Sequence, residues 1–325
     1  MLDKILILGD ERPGTVSQSI ALAEELKMPY EIVDLKYSKL AKIPNIFFSK
    51  SLMRLDKNSR QIVEKIKDFP KFIISAGRKS ATIANYLKSR SQGKSKIIQI
   101  MNPNMDLRKF DAVILPYHDG IFCEKLPNII NTIGAITKVN EEKILQEKGR
   151  FAALFETNRS CKIVLMLGGS SKKTNFSEEN AINLGKIVSQ IAKNMNAKLF
   201  VLNSRRSGAK ITQNLLSNLD CDHEIFDWEK LQGQNPYLAS LAIADFFIIT
   251  GDSVSMISEC CSTGKPVYIF DEGEISSKKH RKFHQNLLKE NYVKKLDLRI
   301  LALENFHPKK LQETKRVAQI IKNLS

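Results

Sequence analysis

The stretch from Ala244 to Phe270 constrains the fold more than any other part of this sequence. It opens with an apolar, aromatic and β-branched run, which is typical of a buried parallel strand. A tight turn follows at residues 250–253, where Asp252 or Ser253 can cap the helix that comes next. Gly264 then ends that helix, and a second apolar run begins at once. This order of strand, helix and strand predicts a βαβ unit in a parallel sheet.

A βαβ unit binds ligands at the carboxyl ends of its strands, beside the N-terminus of its helix. Unpartnered N–H groups and the positive end of the helix dipole favour an anion such as a phosphate there. Glu259 lies about one and a half turns into the helix, where a carboxylate can accept two hydrogen bonds from a ribose diol. In the alternative interpretation, Ser253 only caps the helix and Glu259 is a solvated surface residue.

Length and composition indicate a globular protein with two domains. The chain has 325 residues, which is long for one hydrophobic core, and 42% of them are hydrophobic. No apolar run approaches the length of a membrane span, and the run at residues 5–8 predicts a first strand. The five cysteines lack metal-binding spacing, which is typical of free thiols in a reducing compartment. We therefore expect a cytoplasmic protein.

The formal net charge of +16 has two interpretations. A basic surface can attract nucleic acid, an acidic membrane or anionic substrates. A genome with low GC content also favours lysine codons, and the lysines of this chain are scattered along its length. We favour the second interpretation and expect no specific nucleic-acid partner. Peripheral association with an anionic membrane surface stays open.

Strand and helix patterns alternate in two consecutive runs, which predict two parallel sheets with helices on both faces. We expect an N-terminal domain at residues 1–140, a linker at 141–160, a second domain at 161–305 and a C-terminal helix at 306–325. Residues 36–60 are basic and poorly periodic, so they are interpreted as an insertion or a mobile surface segment. The expected fold class is α/β, with the two domains facing each other across a cleft.

Several loops fall at the carboxyl ends of predicted strands, where such sheets bind their ligands. Gly14 follows the first strand and allows close backbone approach. Gly168, Gly169 and Ser170 follow another strand; their successive amides can point at a phosphate, with charge added by the lysines at 172–173. The Walker order and the dinucleotide spacing are both absent, so neither ATP hydrolysis nor NAD binding is indicated. An ordinary glycine turn remains the alternative.

Arginines follow two further predicted strands. Ser204, Arg205 and Arg206 come directly after a buried strand, and arginine is suited to bidentate contact with phosphate. Arg78 lies at the start of a helix, again after a strand. The alternatives are pairing with acidic residues of the same domain for the first group and an ordinary helix start for Arg78.

Histidines offer candidates for proton transfer and for metal binding. His118 could act as a general base, with Asp119 or Asp10 orienting it, although a solitary histidine is more often structural. His280 and His284 have a spacing that can bind a metal on a helix. The lysines around them disfavour a cation, so no metal site is predicted.

Seven short motifs together resemble one family, and they occur in a fixed order. They are Asp10-Glu-Arg-Pro-Gly-x-x-x-Gln18, Ser75-Ala-Gly-Arg-Lys79, Pro116-x-His-Asp119, Gly168-Gly-Ser170, Ser204-Arg-Arg206, Asn235-Pro-Tyr237 and Thr250-Gly-Asp-Ser-Val-Ser-Met256. This combination resembles the mitochondrial-fission Elm family of plants and of bacteria of the alphaproteobacterial kind. The resemblance covers roughly residues 4–275. Gly251 departs from it, since the family pattern leads us to expect alanine there.

The resemblance implies two Rossmann-like domains, similar to the GT-B glycosyltransferases, in which the nucleotide-sugar donor sits mainly on the C-terminal domain without a metal. The segment from Thr250 to Gly264, with its Glu259, resembles the donor-binding segment of the lipid-II-forming GlcNAc transferase. We therefore expect a GT-B-like, metal-independent glycosyltransferase with a nucleotide-diphosphate sugar as donor and no other cofactor.

The expected donor site gathers the glycines, hydroxyls and charged groups described above. Its residues are Gly14, Arg78, Gly168, Gly169, Ser170, Ser204, Arg205, Arg206, Asp252, Ser253, Ser255, Met256 and Glu259. His118, Asp119 or Asp10 would deprotonate the acceptor hydroxyl. Two alternatives stay open. One is a membrane-peripheral adaptor without chemistry, since plant members are linked to recruiting fission machinery to mitochondria. The other is a UDP-sugar epimerase, since one such family shares this architecture.

Overall fold

A computed structural model describes residues 2–45, 50–120, 126–171, 174–231 and 234–324. Its strands are β1 Leu2–Gly9, β2 Tyr30–Asp34, β3 Pro70–Ala76, β4 Lys96–Ile100, β5 Ala112–Pro116, β6 Ile129–Thr132, β7 Cys161–Met166, β8 Ala197–Leu202, β9 His223–Phe226, β10 Phe246–Thr250, β11 Val267–Phe270 and β12 Lys294–Lys295. Its α-helices are α1 Pro13–Leu26, α2 Lys57–Glu64, α3 Gly77–Arg90, α4 Glu141–Arg150, α5 Glu178–Asn194, α6 Gly208–Leu216, α7 Tyr237–Ile243, α8 Val254–Cys261, α9 Lys278–Lys289 and α10 Glu313–Lys322.

The chain forms two compact units. The first consists of Met1–Lys138 together with Gln312–Ser325, and the second is Val139–Leu311. The stretch 141–160, expected to be a linker, falls within the second unit, where Phe155 packs against two aromatic rings of the sheet. The expected C-terminal helix is α10, which belongs to the first unit and packs against α1.

The first unit contains a six-stranded parallel sheet in the order β2-β1-β3-β4-β5-β6. Side chains alternate between its two faces along each strand. In β1, Ile5 and Ile7 face the helices α1 and α10, whereas Leu6 and Leu8 face α2 and α3. Both faces are therefore buried, which explains why β1 is an uninterrupted apolar run.

Residues 36–60 take part in the fold of the first unit. Tyr37 and Leu55 form an antiparallel bridge, and Leu52 and Leu55 lie in the core beside β1. Arg54 is 0% exposed. Neither expectation for this segment, an insertion or a mobile surface segment, included these contacts, because its apolar residues follow neither a helix nor a strand period. Residues 46–49 lie outside the described part.

The second unit contains a six-stranded parallel sheet in the order β12-β11-β10-β7-β8-β9. Counted from its own first strand, this is the Rossmann order, and the order reverses between β7 and β10. Helices α5 and α6 cover one face of the sheet. On the other face, Cys260 of α8 lies 3.5 Å from the sulfur of Met166 in β7. The predicted α/β class with two Rossmann-like domains is confirmed.

The described cysteines, which are 161, 221, 260 and 261, are free. Cys123 lies outside the described residues. No helix in the described part of the chain is both long and apolar enough to span a membrane.

Candidate functional site

The candidate site lies in the second unit, where the order of its strands reverses. The loop after β7 carries Gly168 and Gly169, and the loop after the neighbouring β10 carries Gly251 and Asp252. Parallel sheets bind ligands at this crevice, outside the carboxyl ends of the two strands. The expected donor segment therefore occupies the position that this topology favours for a ligand.

A buried carboxylate, that of Asp252, ties three loops of this edge together. Its oxygens accept hydrogen bonds from the N–H of Gly169 at 3.0 Å and from the hydroxyl of Thr250 at 2.7 Å. Arg206, from the loop after β8, lies 2.8 Å away. The side chain of Asp252 is 1% exposed, so it shapes the site and leaves little surface for a ligand.

Two glycines are required because the loops approach each other closely. A Cβ on Gly168 would lie 2.0 Å from Asp252 Oδ1, and one on Gly169 would lie 1.9 Å from the carbonyl oxygen of Arg206. The N–H groups of Gly168 and Gly169 donate to Thr250 and Asp252. Because these two N–H groups already donate within the protein, they are not available for the predicted contact with a phosphate.

Ser170 is exposed, and its hydroxyl accepts a hydrogen bond from the N–H of Phe176 at 2.9 Å. The lysines at 172–173, which were expected to add charge here, lie outside the described residues.

The loop after β8 presents cations at the same edge. Ser207 donates a hydrogen bond to the carbonyl oxygen of Leu167 at 2.9 Å, and it accepts one from the N–H of Ser204 at 3.0 Å. These contacts hold the loop against the end of β7. Arg205 is exposed and makes no ion pair with any carboxylate in the described part of the chain, whereas Arg206 is paired with Asp252.

Helix α8 begins at this edge with a side-chain cap. The hydroxyl of Ser253 accepts a hydrogen bond from the N–H of Met256 at 3.4 Å, so Ser253 is one of the two residues that were predicted to cap this helix. Ser255 is exposed and Met256 is half-buried. The first amides of a helix have no partner within the helix, so those of this turn are suited to an anion.

Glu259 is held in place by Tyr237, which lies in the Asn235-Pro-Tyr237 motif and for which no role was predicted. The hydroxyl of Tyr237 donates a short hydrogen bond to Oε2 of Glu259. Burial, followed by the negative charge of Glu259, raises the pKa of Tyr237 well above its ordinary value. Tyr237 therefore remains a protonated donor, and it orients a half-buried carboxylate beside the cationic loops.

A buried histidine lies behind the turn after β10. His284 Nδ1 lies 3.1 Å from Asp271 Oδ2, and a Cβ on Gly251 would lie 2.8 Å from Cε1 of His284. Burial opposes ionisation of Asp271, but hydrogen bonds from His284 and Ser276 outweigh it and hold the pKa of Asp271 below its usual value. The glycine at position 251 therefore makes room for this imidazole.

No group of three or more histidine, cysteine, aspartate or glutamate side chains suited to a metal ion occurs among the described residues.

The expected residues of the first unit do not form one group. Both oxygens of Asp10 accept hydrogen bonds, from Arg12 at 2.9 Å and from the hydroxyl of Thr15 at 2.5 Å. His118 Nε2 lies 4.0 Å from Oδ1 of Asp119, in a turn after β5. The ends of β1 and β5 are three strand spacings apart, about 14 Å. Asp10 is therefore too far away to orient His118.

Gly14 and Arg78, which were expected to contact the donor, also belong to the first unit. Gly14 is the second residue of α1, and a Cβ there would meet nothing within 4 Å. Arg78 is half-buried and donates a hydrogen bond to the carbonyl oxygen of Ile43 at 3.2 Å.

Solved structures of sugar-nucleotide enzymes share this fold. The UDP-GlcNAc 2-epimerase of Methanocaldococcus jannaschii matches with a TM-score of 0.57 and 13% identity, covering 98% of this chain and 99% of that one. A UDP-glucosyltransferase from Polygonum tinctorium matches with a TM-score of 0.53 and 9% identity, covering 100% and 93%. The two sheets and the loops at the strand reversal thus define an α/β protein of the GT-B fold class.

Sequence comparison narrows this class to one family. The family model described as "Mitochondrial fission ELM1" matches residues 13–324, so the chain belongs to that family. It is 32% identical to the uncharacterized protein RP120 of Rickettsia prowazekii (strain Madrid E), over 98% of this chain and 97% of that protein. It is 27% identical over 231 residues to the Mitochondrial fission protein ELM1 of Arabidopsis thaliana, a match that spans 65% of this chain and 53% of the plant protein.

Proposed function

We propose that this chain binds a nucleotide-diphosphate sugar at the edge of its second sheet and acts as a metal-independent glycosyltransferase of the GT-B type. One observation carries the proposal. The exposed Arg205, the N-terminus of α8 and the carboxylate of Glu259 lie around the strand reversal between β7 and β10. This combination offers positive groups for a diphosphate and a hydrogen-bond acceptor for a sugar hydroxyl.

The diphosphate would contact Arg205 and the first amides of α8. Asp252 partly neutralises the charge of Arg206. The N–H groups of Gly168 and Gly169 already donate hydrogen bonds to Thr250 and Asp252. In glycosyl transfer, negative charge develops on the departing nucleoside diphosphate, and fixed positive groups stabilise it. An arginine and a helix terminus would supply that stabilisation in place of a divalent metal.

The ribose would be bound by Glu259. One of its oxygens accepts the hydroxyl of Tyr237, which fixes the direction of the carboxylate. A carboxylate has about four acceptor positions, so it can also accept from a ribose hydroxyl. For proton removal from the acceptor we propose His118 or Asp119 and no longer Asp10, because Arg12 and Thr15 hold both oxygens of Asp10.

The test is a thermal-stability and calorimetry panel of nucleotides and nucleotide sugars, with and without EDTA. A ligand at a hundredfold its dissociation constant stabilises the folded state by about 2.7 kcal/mol. We expect one donor class to bind in EDTA, and Arg205→Gln and Glu259→Gln each to weaken it at least tenfold. Arg299→Gln is the matched control, since Arg299 is an exposed arginine of the same unit that is paired with Asp297. A flat panel, or equal loss in the control, would overturn the proposal.

Product analysis separates transfer from epimerisation. The epimerase alternative is favoured by the shared fold with UDP-GlcNAc 2-epimerases, at identities that show the fold alone. Incubation with the donor that binds, followed by NMR of the sugar, would show a changed configuration at C2 if this alternative holds. A sugar unchanged at C2 that becomes bonded to a supplied acceptor, with release of the nucleoside diphosphate only when that acceptor is present, supports transfer.

A membrane-peripheral adaptor is the alternative of a different class, and the net charge of +16 is the observation that favours it. Co-sedimentation with anionic vesicles at low and high salt tests it, because surface electrostatic binding falls steeply with ionic strength. Binding to vesicles together with a flat nucleotide panel would favour the adaptor. The free thiols fit the reducing cytoplasm in which we propose that the protein works.

A further inference from the structure

His280 and His284 lie on one face of α9, one helical turn apart, and the proposed function gives neither a role. A Cβ on Gly251 would lie 2.8 Å from Cε1 of His284, so this face of the helix packs against the turn after β10. The hydroxyl of Ser276, just before α9, donates to the carbonyl oxygen of Gly251 at 2.8 Å. The first turn of α9 is therefore fixed at the same edge of the sheet as the candidate site.

His280 lies beside the ion pair that joins two loops of that site. Because α9 begins shortly after the carboxyl end of β11, its first turn lies nearer the outside of the edge than the turn that carries His284. His280 is half-buried, and its electrostatic interactions with Asp252 and Arg206 place it close to both side chains. The loop after β8, the turn after β10 and the first turn of α9 therefore meet around this imidazole.

The side chains around His280 carry more positive than negative charge. Arg206 and Lys279 both act on it electrostatically, and the exposed Arg205 lies on the same loop as Arg206. Asp252 supplies one negative charge, which already pairs with Arg206 and is 1% exposed. The side chain of Arg206 is nevertheless 35% exposed, so part of its guanidinium faces the outside. A concave edge of this kind attracts an anion.

The protein does not hold the imidazole of His280 in one protonation state by hydrogen bonding. Its Nδ1 is buried and has no hydrogen-bond partner in the described ranges of the chain, whereas Nδ1 of His284 lies 3.1 Å from a carboxylate oxygen. Burial is the largest cause that lowers the pKa of His280. The charges of His284, Lys279 and Arg206 act in the same direction, and that of Asp252 opposes them. His280 is therefore neutral at pH 7 until further negative charge arrives.

We propose that His280 contacts a phosphate oxygen of the diphosphate at the candidate site and takes up a proton from solvent when that ligand binds. The negative charge of the ligand favours the imidazolium, which then donates a charge-assisted hydrogen bond to the phosphate. No bond of the ligand forms or breaks in this step. The inference rests on the proposed function for the nucleotide that carries the diphosphate, but the contact itself requires only the two phosphates.

The other charged groups near the first turns of α9 do not take over this role. A hydrogen bond from His284 helps to hold the pKa of Asp271 below its usual value, so Asp271 stays ionised at mildly acidic pH. Arg281 donates to a backbone carbonyl oxygen at 3.0 Å and is a permanent cation. His284 is buried behind Gly251, whereas His280 is half-buried. Proton uptake linked to a ligand at neutral and mildly acidic pH is therefore expected at His280.

Pyrophosphate is the probe that tests this contact, titrated into the full chain by calorimetry at pH 5.5, 6.5 and 8. Two buffers that differ in ionisation enthalpy give the number of protons taken up at each pH. Affinity should rise as the pH falls through the pKa of His280 in the complex, and level off below its pKa in the free protein. Relative to His280→Asn, we expect wild type to gain roughly tenfold in affinity, the factor that corresponds to a pKa change of one unit. Comparison with the variant removes the titration of pyrophosphate itself.

A second variant and a matched control separate charge from structure. His280→Lys keeps a positive charge, so it should bind at least as tightly as wild type at pH 8 but without the gain on acidification. The control is His223→Asn, because His223 is an exposed histidine of the same unit whose Nδ1 lies 2.9 Å from the carbonyl oxygen of Cys221. Melting temperatures verify that each variant is folded. In the wild-type protein, NMR follows the Cε1–H signals of the five histidines, and pyrophosphate should move the titration midpoint of His280 to higher pH.

The outcomes distinguish this contact from the proposed function. Equal pH dependence in wild type and His280→Asn overturns the contact, as does an equal loss in His223→Asn or a set of histidine midpoints that pyrophosphate does not move. Nucleotide binding that needs Arg205 but shows no proton uptake at His280 leaves the proposed function standing without the contact. A flat nucleotide panel with His280-dependent binding of pyrophosphate removes the proposed function and leaves the contact standing. Absence of binding by pyrophosphate and by every nucleotide overturns both.

Discussion

Nη2 of Arg206 lies 2.8 Å from Oδ2 of Asp252, and this contact joins the loop after β8 to the loop after β10. Removing the arginine would leave a buried carboxylate without its cation. We expect Arg206→Gln to lower the free energy of unfolding by roughly 2–4 kcal/mol. Arg205→Gln should change it by less than about 0.5 kcal/mol, because Arg205 is exposed. Urea denaturation of the two variants measures the difference, and equal values would contradict a structural role for the pair.

Glycine is required at position 169 but not at position 14. A Cβ on Gly169 would meet the backbone oxygen of Arg206 at 1.9 Å, which no rotamer change can relieve. We expect Gly169→Ala to cost about 3 kcal/mol or more. Gly14→Ala, in α1, should stabilise the protein by up to about 1 kcal/mol, because alanine is the better helix former. Thermal denaturation compares the two, and a neutral Gly169→Ala would mean that the loops are farther apart.

Gly251 and His284 should be energetically coupled. A Cβ at position 251 would lie 2.6 Å from the hydroxyl oxygen of Ser276 and 2.8 Å from Cε1 of His284. We expect Gly251→Ala to cost roughly 1–3 kcal/mol in the wild-type background. It should cost less in a His284→Ala background, where the imidazole is absent. A double-mutant cycle measures the coupling, and strict additivity would show that the two residues do not compete for space.

Tyr237 should affect donor binding through Glu259. Tyr237→Phe removes the hydroxyl that orients the carboxylate, so we expect a three- to tenfold loss of donor affinity and about 1 kcal/mol of stability. Tyr268→Phe is the control. It removes a hydroxyl that donates to the carbonyl oxygen of Glu304 at 2.9 Å, away from the site. Equal effects of both variants on donor affinity, measured by calorimetry, would refute the orienting role.

Lys265 should make stability depend on alkaline pH. Burial lowers its pKa from 10.5 to about 8, and its amine donates to the carbonyl oxygens of Leu241 and Ala242 near the end of α7. Between pH 8 and 10.5 the unfolded chain binds more protons at this residue than the folded chain does, so its contribution to stability rises with pH. Urea titrations at pH 7.5, 9 and 10 should show this rise relative to Lys265→Met. A flat difference would mean that the amine titrates normally.

The sequence predicted the strands well, because buried parallel strands are continuous apolar runs. The strand expected directly before Gly168 is β7 Cys161–Met166, and the expected helix after Ser253 is α8. Local pattern was sufficient in these cases, since burial on both faces leaves little freedom in residue type.

The polar contacts of the site could not be predicted from local pattern. Gly169 and Asp252 are 83 residues apart, and Asp252 was expected to contact the ligand, whereas it holds the loops together. Arg54 carried no sequence signal, because a buried arginine looks the same in sequence as an exposed one. A sequence motif shows which residue type lies at a strand end, but only the folded structure shows which partner that side chain contacts.

The first unit is discontinuous along the chain, and this has a consequence for folding during synthesis. Val317, Ala318 and Ile321 of α10 belong to the same core as Ile5 and Ile7, and Glu313 accepts a hydrogen bond from the N–H of Ile133 at 2.8 Å. A ribosome translates residues 139–311 before it reaches this helix. The second unit can therefore complete its core first. The unit that begins at the N-terminus must wait, with an exposed apolar face on its sheet, until residues 312–324 have been made.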